Sequence, residues 1–184
     1  MSDSTETNAP VIKRATIKDA ESLSKLIRNA MASYKHDSGI AGDVLESMSE
    51  SVESVARRIR NSRCLCIYDE ENNPIGTITI RKINNPLKFS FSDKTESYLS
   101  RFPQVGYISR FAVDSKSRNT GLGVNLIEAA LASPEAQETG VVLLHTAVAN
   151  EKMDRFYHNS GFYLLDSESS RGYERGLFVW ENNK

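Results

Sequence analysis

A mixed α/β fold in one domain is what this sequence predicts, on three observations. Strand-like and helix-like patterns alternate from residue 105 to residue 165, which argues for a mixed sheet with helices packed on it. The runs 105–113 and 141–148 are apolar and β-branched on both faces, as strands in the middle of a sheet must be. The 184 residues are 39% hydrophobic and 26% charged, an ordinary balance for one globular domain large enough to bury its own core.

Each element follows in order. Residues 1–9 are polar and are expected to form a disordered tail, with residues 10–184 as the single domain. Residues 11–16 read as a first short strand. Asp19 opens a helical pattern in which Ala20, Leu23, Ile27, Ala30, Met31 and Tyr34 recur at steps of three and four. Gly39 and Gly42 end it. A second helix is expected over 51–61, with Val52, Val55, Ala56 and Ile59 on one face. Glu53 stands early in it and Arg57, Arg58 and Arg60 late, which suits the helix dipole. Residues 64–68 and 75–82 form an expected hairpin across the turn EENNP. The polar and aromatic stretch 84–104 is too long for a plain turn, so a functional loop or a short helix is expected there. Further helices are expected over 121–132 and 150–160, the second capped by Asn150 and ended by Gly161. Residues 162–166 and 177–181 close the chain as strands. The last, GLFVW, is apolar on both faces, so it is either central or covered by a second subunit in a homodimer.

Composition excludes several classes. Lys and Arg number 23 and Asp and Glu 24, a net charge of −1. Residues 1–92 carry 13 basic and 12 acidic side chains and residues 93–184 carry 10 and 12, so no nucleic-acid surface is expected. The longest apolar run, 64–68, has five residues, against about 20 for a membrane span. The first ten residues have neither a basic start nor an apolar stretch, so no secretory signal is expected. Cys64 and Cys66 share a strand face and are too few for a disulfide framework. His36, His145 and His158 lack metal-ligand spacing. A reducing cytoplasm, with no metal and no membrane partner, is the expected setting.

The stretch 106–131, GYISRFAVDSKSRNTGLGVNLIEAAL, carries the chemistry. A buried strand ends in a turn holding Lys116, Arg118, Gly121 and Gly123, and a helix starts at once. Helix N-termini leave N–H groups unpaired and carry partial positive charge. Glycine lets a ligand approach the backbone closely. Together these make a phosphate cradle. It is not a dinucleotide fingerprint, because Leu126 stands at the third glycine position, and no P-loop string exists. What stands here is R-x-x-G-x-G, as Arg118-Asn119-Thr120-Gly121-Leu122-Gly123. This string resembles the pyrophosphate-binding turn of the GNAT superfamily of N-acetyltransferases, which bind acetyl-CoA. That family places the turn after a long central strand. It follows with a helix, a strand, and a helix that begins at Asn and carries Tyr just before Gly-Phe. Here that segment is AVANEKMDRFYHNSGF, with Asn150, Phe156, Tyr157, Gly161 and Phe162 at the matching places. The resemblance covers 105–165 in detail and the remaining elements more loosely.

The resemblance implies a GNAT fold, with a central mixed, mostly antiparallel sheet flanked by helices. It implies an acetyl-CoA-dependent N-acetyltransferase. The backbone of Phe111, Ala112 and Val113 would pair with the pantetheine arm. The turn Arg118, Asn119, Thr120, Gly121, Leu122, Gly123 and Val124 would hold the pyrophosphate through N–H groups, with Asn150 and Phe156 also at the cofactor. Tyr157 matches the tyrosine that protonates the departing thiolate. A phenol of pKa ~10 gives a proton to a thiolate whose acid has pKa ~8.5 only with help from position and low dielectric. A backbone N–H near Phe111 or Ala112 would hold the oxyanion. Many members carry a glutamate where this chain has Ser109, a poor base. Water, Glu46, Glu50 or His145 are then the proton acceptors to consider. The amine would attack directly in a ternary complex, since no G-x-S-x-G nucleophile motif is present.

The resemblance puts the acceptor among residues 35–50, 84–104 and 167–175. Residues 36–56 hold no Lys or Arg but include Asp37, Asp43, Glu46, Glu50 and Glu53. Such a cluster is expected to attract a cationic small-molecule amine. A peptide amine is the other acceptor class. Two alternatives stand beside this reading: an acyl-CoA-binding module without transfer activity, which Ser109 favours, and an acyltransferase using a longer acyl-CoA.

Overall fold

A computed structural model describes residues 11–41 and 45–182, without the Glu46 side chain. The expected tail 1–9, the stop at Gly42, and Asp43 lie outside the described residues. The elements are β1 (Ile12–Arg14), α1 (Ala20–Ser38), α2 (Val52–Asn61), β2 (Arg63–Tyr68), β3 (Pro74–Ile83), α3 (Asp93–Leu99), β4 (Val105–Val113), α4 (Leu122–Leu131), α5 (Pro134–Gln137), β5 (Val141–Ala147), α6 (Glu151–Asn159), β6 (Tyr163–Glu168) and β7 (Arg175–Glu181). Short 3-10 helices cover Ile17–Asp19, Glu46–Ser49, Pro86–Phe89 and Ser115–Ser117.

Local chemistry sets most of these boundaries. The N–H of Gly39 bonds the Lys35 carbonyl at 3.0 Å and closes α1. Ser51 Oγ accepts from the Ser54 N–H at 3.1 Å and starts α2. The anticipated apolar face of α2 is narrower than its periodicity suggests. Val55 and Ile59 are buried, but Val52, in the first turn, is exposed. The stretch 84–104 holds a 3-10 helix and α3, with Leu99 fully buried. The short helix α5 lies outside the periodic patterns of the sequence; Pro134 starts it and Ala136 packs into the core.

The seven strands form one sheet in the order β1-β2-β3-β4-β5-β7-β6. All pairs are antiparallel except β4 with β5. The strand β7 therefore lies inside the sheet, and Leu177, Phe178 and Val179 are fully buried. Its two apolar faces are explained by this position, without a second subunit. Helices α4 and α6 cover one face of the sheet through Leu126, Ile127 and Tyr157, against Ile80, Ile108, Val142 and Leu144. Helices α1 and α2 cover the other through Leu23, Ile27, Val55 and Ile59. The segment 84–104 continues that second layer beside β5 and β7, where Leu99 meets Leu143, Leu177 and Val179.

One irregularity positions the site. Thr77 pairs with Ala112 and Thr79 with Ser109, so two steps along β3 match three along β4. This is a β-bulge, one extra residue that bends its strand. Arg110 carries it, with φ 53, a left-handed conformation uncommon outside glycine. The extra residue also switches faces. Ile108 points into the core under α4, while Ala112 packs under α1 and α2.

Candidate functional site

Beyond the bulge the two parallel strands part. Strands β4 and β5 pair only at Gly106 with Val142 and at Tyr107 with Leu143. Past those positions one edge of β4 stays on β3, through Ala112 and Val113, and the other edge faces open space. A cleft of about 700 Å³ fills the gap. Ser109, Arg110, Phe111, Ala112 and Val113 line one wall, and Leu144, His145 and Thr146 the other. Helix α1 spans the opening. The Ala147 N–H donates to Tyr34 Oη at 2.6 Å, and the Tyr34 hydroxyl also meets Thr146 Oγ1 at 3.0 Å. A free strand edge beside a cleft can pair with an extended ligand through main-chain hydrogen bonds.

The glycine turn forms one end of this cleft. Asn119 has φ 62 and Gly121 φ 86, so the chain coils left-handed just before α4. Gly121 is the N-cap of α4, and the first N–H groups of that helix have no partner of their own. A Cβ at Gly123 would stand 3.2 Å from Phe111 Cζ and 3.4 Å from Phe156 Cε2, so glycine is needed for close packing there. Phe111 and Phe156 stack at 5.3 Å with their planes 11° apart, which locks the turn, β4 and α6 together. Arg118 Nε donates to the Val113 carbonyl at 3.2 Å, turning its guanidinium along the cleft wall.

The residues anticipated for the cofactor thus come together. Phe111, Ala112, Val113, Arg118, Asn119, Gly121, Gly123, Val124, Asn150 and Phe156 all line the one cleft, with Tyr157 among them. Thr120 and Leu122 point elsewhere. The Thr120 hydroxyl donates to the Ser117 carbonyl at 2.7 Å, and Leu122 packs on the core. Only their backbone can serve the cradle. Asn150 caps α6, its Oδ1 accepting from the Met153 N–H at 3.2 Å, and is itself buried.

Tyr157 is 5% exposed, and its ring packs on Phe162 and Phe178. Burial pushes its phenol pKa well up, so it stays protonated. Across the cleft stand Tyr107 and His145. The Tyr107 hydroxyl meets His145 Nδ1 at 3.0 Å. Phe89 stacks on Tyr107 at 4.6 Å, and Phe91 lies 5.4 Å from the imidazole. Burial, then the charges of Arg175 and Arg171, pull the His145 pKa down to about 3. Its Nε2 is buried with no partner among the described residues. The sequence pattern marks Tyr107 only as part of a strand. Its polar tip in an apolar run is a signal, but its partner is 38 positions away and depends on register.

Among the described residues the acidic stretch does not form an anionic wall. Glu50 is buried with both carboxylate oxygens taken by Arg58 and Arg110, each at 2.5 Å. Burial raises its pKa, but those two guanidiniums outweigh it and hold the carboxyl below its usual value. It is an ion-pair hub, not a base. Asp37 lines the cleft but bonds Lys152 Nζ at 3.2 Å. Glu53 lies exposed on α2. Asp43 and the Glu46 side chain lie outside the described residues. Arg110, Lys152, Arg171 and Arg175 line the walls, so the described acceptor side is not an anionic surface.

Comparison with known proteins bears on this site. A model of the Acetyltransferase (GNAT) family matches residues 28–162. Human N-alpha-acetyltransferase 30 is 36% identical over 72 residues, 39% of this chain and 20% of that protein. The mouse protein of the same name matches over the same extent. The match spans about a fifth of these curated relatives' length. Among solved structures, the PaiA N-acetyltransferase from Thermoplasma acidophilum in complex with coenzyme A has a TM-score of 0.70 at 16% identity, over 95% of this chain and 99% of that one. The NatC complex bound to Gag peptide and CoA has a TM-score of 0.66 at 18% identity, over 95% and 99%. At these identities the structures show a shared fold.

Proposed function

The chain belongs to the acetyltransferase (GNAT) family, and from that premise we propose that it moves an acetyl group from acetyl-CoA to the α-amine of a peptide. The observation that carries this reading is the parting of β4 and β5, which opens strand edge, glycine turn, Tyr157 and the Tyr107–His145 pair onto one cleft. The pantetheine arm lies along the backbone of Phe111, Ala112 and Val113. The pyrophosphate sits on the N–H groups of the turn 118–124, where the helix dipole and Arg118 favour negative charge. The same fit supports acetyl-CoA over a bare binding role, because an acid and a proton-accepting pair flank the place where the thioester would lie.

The amine lone pair attacks the thioester carbonyl carbon. The N–C bond forms, the oxyanion is held by a backbone N–H near Phe111 or Ala112, and the C–S bond then breaks. The departing thiolate takes its proton from Tyr157. A raised phenol pKa opposes that transfer, but the same low dielectric raises the thiolate's basicity as well. The attacking nitrogen carries an acidic proton once bonded to carbon, so a weak acceptor suffices. The Tyr107 hydroxyl takes it and passes its own to His145 Nδ1.

The choice of an α-amine follows from charge. The pair is buried beside Arg175 and Arg171, which disfavours an ammonium ion. An α-amine has a pKa of about 8 and a lysine of about 10.4, so the neutral form is roughly 10²-fold more abundant for the α-amine at pH 7. The similarity to N-alpha-acetyltransferase 30 supports this acceptor. CoA release is therefore expected with peptides bearing a free N-terminus and not with N-terminally blocked lysine peptides. Turnover confined to a polyamine would overturn the peptide reading.

The cradle is tested apart from the chemistry. Gly121→Val forces a β-branched residue into φ 86, a strain of about 1–2 kcal/mol or more. CoA affinity measured by calorimetry is expected to drop about tenfold. Wild-type affinity would show that this turn does not bind the phosphates.

A further inference from the structure

Glu50 lies at a junction that the transfer chemistry does not use. It is 3% exposed, just before α2. Its Oε1 accepts from Arg58 Nη2 at 2.5 Å and Ser54 Oγ at 3.0 Å. Its Oε2 accepts from Arg110 Nε at 2.5 Å. Its backbone carbonyl accepts from Ser24 Oγ and Arg28 Nη1, both at 2.8 Å. One residue thus ties α1, α2 and β4 together. The strand residue it grips is the one at φ 53.

We propose that Glu50 is a positioning residue, whose carboxylate anchors Arg110 in the left-handed conformation that bulges β4. The anchor holds the edge Phe111–Val113 away from β5 and so keeps the cofactor groove open. Two facts support this. A bulge residue other than glycine carries a backbone penalty that surrounding structure must outweigh. Arg110 reaches Glu50 on the side of α1 and α2, the side on which Ala112 also packs, whereas Ile108, two positions before Arg110, faces α4, so the break in alternation falls where the ion pair grips the strand. A paired, buried carboxylate is also strongly fixed, since removing one partner strands the other charge. The inference rests on the proposed cofactor site.

The test separates backbone angle from charge. Glu50→Ala is expected to weaken CoA binding about tenfold in calorimetry. Adding Arg110→Gly recovers most of that loss, because glycine takes the left-handed angle unaided. Adding Arg110→Ala instead does not, although it removes the same stranded guanidinium. Wild-type affinity in Glu50→Ala, or equal recovery by glycine and alanine, would overturn the proposal. Should Glu50→Ala not fold, Glu50→Gln is carried through the same series. Should the unaltered protein not bind CoA, the functional reading fails by itself. The clamp is then read from melting temperatures, where glycine must again rank above alanine at position 110.

Discussion

Replacing Tyr157 by Phe is expected to lower kcat by about 10²-fold or more and to leave CoA affinity close to that of the unaltered protein. The two effects separate because the ring and the hydroxyl do different work. The ring packs against Phe162 and Phe178 and stands 5.5 Å from Phe156, and phenylalanine fills the same space. The hydroxyl is the part assigned to the departing thiolate. Burial keeps the phenol neutral, so the proton is available at every working pH. Pre-steady-state CoA release with a saturating peptide is the measurement. Unchanged turnover would remove Tyr157 from the reaction and leave it as a core residue.

The second large effect is expected at the Tyr107–His145 pair. Tyr107→Phe and His145→Ala each lower kcat by about 10²-fold, and the double variant is little worse than either single one. Groups that act as a unit are non-additive in this way. The pH profile is the sharper measurement. The His145 pKa, pulled down to about 3, keeps the imidazole neutral throughout the usual assay range. An inflection near 6.5, the ordinary histidine value, is therefore not expected. Instead kcat/KM rises with pH through the peptide α-amine, near 8. A limb near 6.5 that vanishes in His145→Ala would show that the histidine titrates normally and that the buried, cation-flanked site is wrong.

The legible part of the site was the part that chemistry writes into neighbouring residues. The string Arg118 to Gly123 and the segment Asn150 to Phe162 each carry their reason within a turn or two of chain: a left-handed glycine, unpaired N–H groups, a side-chain cap. Their common cleft was expected from the resemblance, and eleven of the thirteen anticipated residues line it. The acidic stretch is legible as composition, but two of its described carboxylates are paired with cations from distant segments. Glu50 meets Arg110 sixty positions away and Asp37 meets Lys152, and no local pattern announces either neutralisation.

The chain's local order decides the kinds of element and where they stop. Periodicity, caps and glycines act over three or four residues, so Gly39 caps the end of α1 and Gly121 the start of α4 without reference to the rest of the fold. The tertiary structure decides what those elements surround. The bulge at Arg110 is set by register with β3 and by an ion pair to a residue before α2. The Tyr107–His145 contact exists only because β4 and β5 lie side by side before they part. Both depend on interactions between distant segments, whose free energy is realised only when helices and sheet close around a shared core. The charges of Glu50 and Asp37 are likewise offset by cations that only the fold brings to them.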